Sequence, residues 1–134
     1  MPHLVLLYTG QLDAETDIGA LCRTLADTML ALKDDDGTPV FPIGGTRVLA
    51  YPAPHFAVAD GAHDCAFVVL NLRMGRGRSD ATQQRAGAAL ADCARAHFDA
   101  LLASRPVGIT LQVDVGTEVF DARLGNLHSL FSKR

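Results

Sequence analysis

The sequence contains fewer basic than acidic side chains, and this shortage of positive charge argues against two classes of binding partner. Lysine and arginine number 12 against 15 aspartates and glutamates, which gives a formal net charge of −3 at pH 7. Proteins that bind nucleic acid or anionic membranes in a general way need a basic face. We therefore expect this chain to bind neither a nucleic acid nor a membrane.

Cysteine is also scarce, and its spacing excludes two kinds of site. The three cysteines, Cys22, Cys65 and Cys93, are odd in number, widely separated and include no CxxC pair. Zinc sites and disulfide frameworks need paired thiols at closer spacing. We therefore expect buried, reduced thiols in a cytoplasmic protein.

Long apolar runs are missing as well. No stretch reaches the roughly 18 apolar residues that a membrane-spanning helix needs. The first apolar run ends at Thr9 and Gly10 and has no basic segment before it, so we expect no signal peptide. The 134 residues, 49% of them hydrophobic, predict one domain with a substantial core.

What is present predicts two similar halves, about 1–58 and 59–134. In the first, the apolar run His3–Tyr8 predicts a buried strand, and apolar side chains recur at helical spacing over residues 14–32. Asp13 is the expected N-cap of that helix. A short strand over Thr46–Tyr51 follows, which the next prolines break or confine to a sheet edge.

The second half repeats this order. Cys65–Met74 predicts a strand, and Ser79 is the expected N-cap of a helix over residues 80–103. Ile109–Val115 alternates apolar and polar residues, as a strand does when one of its faces is covered. Asn126–Phe131 is apolar enough to dock on another element, although its pattern favours neither helix nor strand.

The repeated order predicts an α/β fold with helices on one face of a single four-stranded sheet. Such a sheet has exposed edges and one poorly covered face, and oligomerisation is a natural way to cover them.

A loop containing Asp34–Asp36 lies between the first predicted helix and the second predicted strand. No ligands follow these aspartates at calcium-loop spacing, so we expect a solvated acidic turn.

Pro2 is the first candidate for chemistry. Removal of Met1 would expose a secondary amine held by a ring at the start of a buried strand, and such an amine can accept and return a proton. If Met1 is retained, the Pro2 nitrogen is an amide and cannot act as a base. Many proteins begin Met-Pro with no chemical consequence, so Pro2 alone is weak evidence.

Arginines are the second candidate. Arg76 and Arg78 share a parity along an extended chain, so they could project together toward one ligand. Arg47 follows Gly44-Gly45, where a side chain could enter a pocket. Guanidinium groups bind carboxylates bidentately, so a small di- or tricarboxylate is the expected ligand. Phosphate, a solvated face and salt bridges to a neighbouring subunit remain alternatives; GRGRS lacks the ending of a P-loop.

Four segments together resemble one known family. They are the opening MPHL, Ala59–Phe67 (ADGAHDCAF), Gly75–Ser79 (GRGRS) and Asn126–Phe131 (NLHSLF). This combination resembles 5-carboxymethyl-2-hydroxymuconate Δ-isomerase, of the tautomerase superfamily, nearly from end to end. The loop from Asp34 to Ala57 differs from the family pattern, which leaves the exact substrate open.

The resemblance implies a homotrimer of duplicated β-α-β subunits, with a mixed four-stranded sheet and two helices on one face. It implies Pro2 as general base, Arg78 and Arg47 as substrate-binding arginines, and no metal or organic cofactor. The implied substrate is a carboxylated dienol from bacterial breakdown of homoprotocatechuate. Two alternatives stay open: a hydratase or dehalogenase that uses the same proline, and a non-catalytic trimer that binds an anionic metabolite or a protein.

Overall fold

The computed structural model describes residues 2–131 and contains four strands and three α-helices. In chain order they are β1 (His3–Thr9), α1 (Ile18–Ala31), β2 (Arg47–Ala53), β3 (Ala66–Met74), α2 (Asp80–Ser104), β4 (Val107–Val115) and α3 (Leu127–Phe131). Short 3₁₀ turns occupy Gly10–Ala14 and Ile43–Gly45. The main elements follow the order β-α-β, then β-α-β; the division near residue 58 stays a prediction and falls in the loop between β2 and β3.

The four strands form one mixed sheet in the order β2-β1-β3-β4. β1 runs parallel to β2 and antiparallel to β3, while β4 runs parallel to β3. β2 is therefore an edge strand, which explains why Pro52 is tolerated inside it. The predicted four-stranded mixed sheet is confirmed.

Both long helices pack on the same face of the sheet. Alternate residues of β1 and β3 are buried there, among them Leu4, Leu6, Leu70 and Leu72, each 0% exposed. The helices contribute apolar side chains at helical spacing to the same core: Ile18, Leu21, Leu25, Met29, Ala86, Leu90, Ala94 and Phe98. The opposite face stays open and carries large apolar side chains: Leu7, Leu49, Tyr51 and Phe67.

The start of the first long helix differs from the prediction. α1 begins at Ile18, and its N-cap is Asp17, whose carboxylate accepts a backbone N–H at 2.9 Å. Asp13 instead lies in the 3₁₀ turn and accepts a hydrogen bond from the Tyr8 hydroxyl at 2.6 Å. The prediction was wrong because a tertiary hydrogen bond, which sequence spacing does not show, engages the Asp13 carboxylate.

Strongly alkaline pH should destabilise the protein through Tyr8. Burial, followed by the hydrogen bond to Asp13 and its charge, raises the pKa of Tyr8 to about 12. An unfolded tyrosine titrates near 10, so the native state holds this proton more tightly and stability falls between about pH 10 and 12. We expect urea titrations to show this fall in the wild type. Only Tyr8→Phe, and not Tyr51→Phe, should remove it; an unchanged fall in Tyr8→Phe would contradict the assignment.

The second half follows its prediction closely. Ser79 caps α2 by accepting the Thr82 N–H at 3.1 Å, and the helix ends one residue beyond the predicted bound. The segment Asn126–Phe131 docks as predicted: its helix α3 contacts the turn Ile43–Gly45. The three cysteines are unpaired thiols, as expected. They are half-buried rather than fully buried, so the expected burial was too high. Within residues 2–131, no helix is long and apolar enough to cross a membrane.

Candidate active site

One end of the sheet collects the candidate residues. β1 and β2 begin at this end, and β3 and β4 finish there, because β1 is antiparallel to β3. His3, the first residue of β1, pairs with Arg47 on one side and with Arg73 on the other. Pro2 precedes His3 directly, and the loop with Arg76 and Arg78 follows the end of β3. The N-terminal proline and four arginines therefore share one end of the sheet.

Pro2 occupies a protected position at this end. It is buried, and it lies one residue before β1. β1 is a central strand, so neighbouring strands flank the start of the chain on both sides. Met1 lies outside the described residues. The fold thus buries the proline ring at this end of the sheet.

A cavity of about 420 Å³ opens at the same end, on the open face of the sheet. His3 and Arg47 contribute to its wall from the strands, since their parity is opposite to that of the core residues. Residues 118–128 of the C-terminal segment supply most of the remaining wall, including His128 at the start of α3. This volume falls within the range of small-molecule sites, about 300–1,000 Å³.

Charged side chains surround His3 on the strand side of this cavity. Burial lowers the pKa of His3, and the charges of Arg47 and Arg73 lower it further, with Glu118 acting in the opposite sense. The Glu118 carboxylate lies 3.8 Å from Arg73, and its backbone carbonyl accepts a hydrogen bond from Arg76 at 3.5 Å. The arrangement favours an anionic ligand, because the guanidinium groups of Arg47 and Arg73 lie beside His3 and such groups bind anions.

Arg76 and Arg78 do not project together, so the parity argument was wrong. β3 ends at Met74, and Gly77 has φ +110°, a conformation that turns the chain and breaks strand alternation. Arg76 reaches toward Glu118. Arg78 turns the other way and lines a separate pocket beside Asp34–Asp36.

Arg78 joins two loops. Its Nε and Nη2 donate to the Val40 carbonyl at 3.3 and 3.1 Å, and its Nη1 donates to the Gly75 carbonyl at 3.2 Å. The guanidinium also lies 5.0 Å from the centre of the Phe41 ring, which is 1% exposed. Burial lowers the pKa of Arg78. These contacts give Arg78 a structural role that the sequence did not predict.

Comparison with known proteins now decides the family. Residues 2–131 match the family described as 5-carboxymethyl-2-hydroxymuconate isomerase. The chain belongs to this family. It is 30% identical over 131 residues to the Escherichia coli 5-carboxymethyl-2-hydroxymuconate Delta-isomerase, covering 98% of this chain and 99% of that protein.

Solved structures agree with the family assignment. A crystal structure of a 5-carboxymethyl-2-hydroxymuconate delta-isomerase has 59% identity and a TM-score of 0.95, covering 100% of this chain and 95% of that one. A 5-carboxymethyl-2-hydroxymuconate isomerase from Deinococcus radiodurans R1 has 34% identity and a TM-score of 0.86, covering 98% and 95%. The chain is therefore an isomerase with the predicted duplicated β-α-β fold.

In this isomerase, loss of the Arg78 side chain should reduce stability. Arg78→Ala removes three hydrogen bonds and leaves the Val40 and Gly75 carbonyls to find new partners, so we expect a loss of about 1–2 kcal/mol in the free energy of unfolding. Arg78→Lys should recover only part of it, because an ammonium group lacks the guanidinium fork. Urea titration measures the effect. Arg76→Ala, which loses one long bond, is the control, and equal stability in all variants would refute the anchoring role.

His128 is a cavity residue that the sequence analysis missed. The five histidines show no metal-ligand spacing in the sequence, and among residues 2–131 no group of His, Cys, Asp and Glu is arranged to hold a metal. The feature that identifies His128 is the contact between the segment NLHSLF and Gly44-Gly45. Only the fold reveals that these two distant segments touch.

Proposed function

We propose that this isomerase converts 5-carboxymethyl-2-hydroxymuconate between its enol and keto forms, with Pro2 as general base. The observation that carries the proposal is the position of Pro2, buried at the head of a central strand, at the end of the sheet where four arginines gather. Family membership supplies the substrate class.

The proton moves through Pro2 without any other reactant. The free Pro2 nitrogen accepts the proton of the 2-hydroxyl group, and the electron pair of that O–H bond becomes the carbonyl π bond. The conjugated double bonds shift, and the protonated amine returns its proton to the vinylogous carbon. Atoms and electrons balance, because the product is an isomer. Burial and the nearby guanidinium groups both disfavour a protonated amine, so Pro2 is kept ready to accept a proton.

Arginines hold the substrate in this proposal. Arg47 lines the cavity and binds one carboxylate, with Arg76 at the neighbouring rim. Charge that develops on the dienolate in the transition state is stabilised by the same guanidinium groups. Arg78 lines a separate pocket, so it does not share a carboxylate with Arg47 within one chain; its one unused hydrogen on each Nη leaves it able to bind an anionic group there while it anchors the loops.

The proposed assembly is a homotrimer located in the cytoplasm. The open face of the sheet supports the assembly: Leu7 and Tyr51 are each about half exposed there, and burial of such side chains between subunits is favourable. Three unpaired thiols fit a reducing compartment. Sedimentation equilibrium should give three times the 14.2 kDa chain mass.

An ultraviolet assay tests the proposed function. Purified protein with Met1 removed is mixed with 5-carboxymethyl-2-hydroxymuconate, and the loss of the dienol absorbance is followed. We expect saturable turnover well above the uncatalysed rate. A folded protein that binds the dienol without accelerating its conversion would reject the isomerase proposal and favour a non-catalytic anion-binding protein.

A further inference from the structure

We propose that His128 is a substrate-binding residue that donates a hydrogen bond to a carboxylate of the substrate and so contributes to specificity. The inference rests on the proposed function for the identity of the substrate. The binding measurement that tests it does not require turnover. It assigns a role to the C-terminal segment, which the mechanism above does not use.

The position of His128 is set by a close approach of two segments. A Cβ on Gly44 would lie 3.1 Å from the His128 Cα and 3.3 Å from its Nδ1, and a Cβ on Gly45 would lie 3.5 Å from its Cε1. Neither glycine has a positive φ, so backbone conformation does not require glycine at these positions. Gly44 leaves room for the backbone and imidazole of His128, whereas at Gly45 the tight contact, 3.1 Å, is with Pro42 and the His128 ring is at ordinary van der Waals distance.

This contact brings His128 to the same cavity as Arg47. Arg47 begins β2 two residues after Gly45, and both Arg47 and His128 line the cavity, together with His3. The sheet thus supplies one side of the cavity, and α3 supplies the other. A ligand in this cavity can therefore contact both Arg47 and His128.

The charges in the cavity wall identify the ligand chemistry. Both carboxylates of the wall already have arginine partners: Asp121 is 3.0 Å from Arg123, and Glu118 is 3.8 Å from Arg73. An imidazole has an N–H donor in either protonation state. A carboxylate of the ligand is the matching acceptor, and the dienol of the proposed reaction bears several.

Two measurements test the inference on the trimmed, full-length protein. The first is the KM for 5-carboxymethyl-2-hydroxymuconate. The second is calorimetric binding of cis,cis-muconate, a dicarboxylate that lacks the hydroxyl group and cannot tautomerise. For His128→Ala we expect the KM and the muconate Kd to rise about tenfold or more, with kcat within about threefold of wild type, because one hydrogen bond to a charged group is lost. His128→Gln keeps a donor and should recover part of the affinity.

Further variants separate binding from helix docking. Gly44→Ala keeps His128 but pushes against its backbone, and it should weaken muconate binding in the same direction. His55→Ala, an exposed loop histidine, and Gly19→Ala on α1 are matched controls and should bind muconate as the wild type does. Thermal melts confirm that each variant is folded.

The outcomes distinguish this inference from the proposed function. A His128→Ala protein that binds muconate like the wild type, or a wild type that does not bind muconate, overturns the role of His128. A wild type that binds muconate but does not convert the dienol rejects the proposed function, while a rise in Kd for His128→Ala would still support His128 as a carboxylate ligand.

Discussion

Replacing Pro2 with alanine should lower kcat/KM for the dienol by at least about hundredfold while the protein stays folded. General acid–base groups contribute about 10²–10⁴ in rate. Alanine leaves a primary amine that is freer to rotate and differs in basicity, so the proton-accepting lone pair is no longer fixed at the head of β1. Steady-state ultraviolet kinetics at several pH values measure the loss.

Two controls accompany this variant. Pro54→Ala makes the same change at an exposed proline beyond β2, and it should retain wild-type kinetics. Urea titration of Pro2→Ala separates lost chemistry from lost packing, because Pro2 is buried. Wild-type turnover in a folded Pro2→Ala protein would remove Pro2 from the mechanism.

Replacing Arg47 with alanine should lower kcat/KM by about 30- to 100-fold, mainly through KM. Charge-assisted hydrogen bonds contribute about 1.5–3 kcal/mol each, and Arg47 is the arginine that the strands bring into the cavity. Arg47→Lys should restore part of the loss, because it keeps the charge but not the bidentate geometry. A change confined to kcat would argue that Arg47 acts on the transition state rather than on substrate binding.

The matched control for Arg47 is Arg23→Ala on α1. Arg23 forms an exposed ion pair with Asp27 at 2.9 Å, far from the cavity, and such pairs contribute little. Its kinetics should match those of the wild type. If Arg47→Ala and Arg23→Ala behave alike, the cavity is not where the substrate carboxylate binds.

The sheet and both long helices could be predicted because their side-chain periodicity is strong. Leu4 and Leu6 on β1, and Leu90 and Phe98 on α2, lie in the core at 0% exposed. Residue spacing alone determines which side chains of a strand or helix share a face. Ser79 was also found correctly, since an N-cap is a local signal.

The features that failed depend on hydrogen bonds and backbone turns that residue spacing does not show. Asp13 has the composition of an N-cap, but the hydroxyl of Tyr8 engages its carboxylate. Parity predicted a shared direction for Arg76 and Arg78, yet alternation holds only within a strand, and Gly77 lies outside β3 with a positive φ.

The candidate site could be predicted only in part, because some of its residues are identified by local sequence and others only by the fold. Pro2 and Arg47 were identified by residue type, and the pairing of β1 with β2 then explains why they lie at one end of the sheet. His128 is 81 residues along the chain from Arg47, and no periodicity links them. Only the docking of α3 on Gly44-Gly45 places the imidazole beside the strands.

The most direct test of the central claim compares one protein sample before and after removal of Met1. The chain is prepared with Met1 retained, its mass is confirmed, and an aminopeptidase then trims it while dienol turnover and the trimmed fraction are followed together. We predict that the Met1-bearing form has almost no activity and that turnover rises in proportion to the fraction with a free Pro2 nitrogen. Equal turnover before and after trimming would contradict the assignment of Pro2 as the catalytic base.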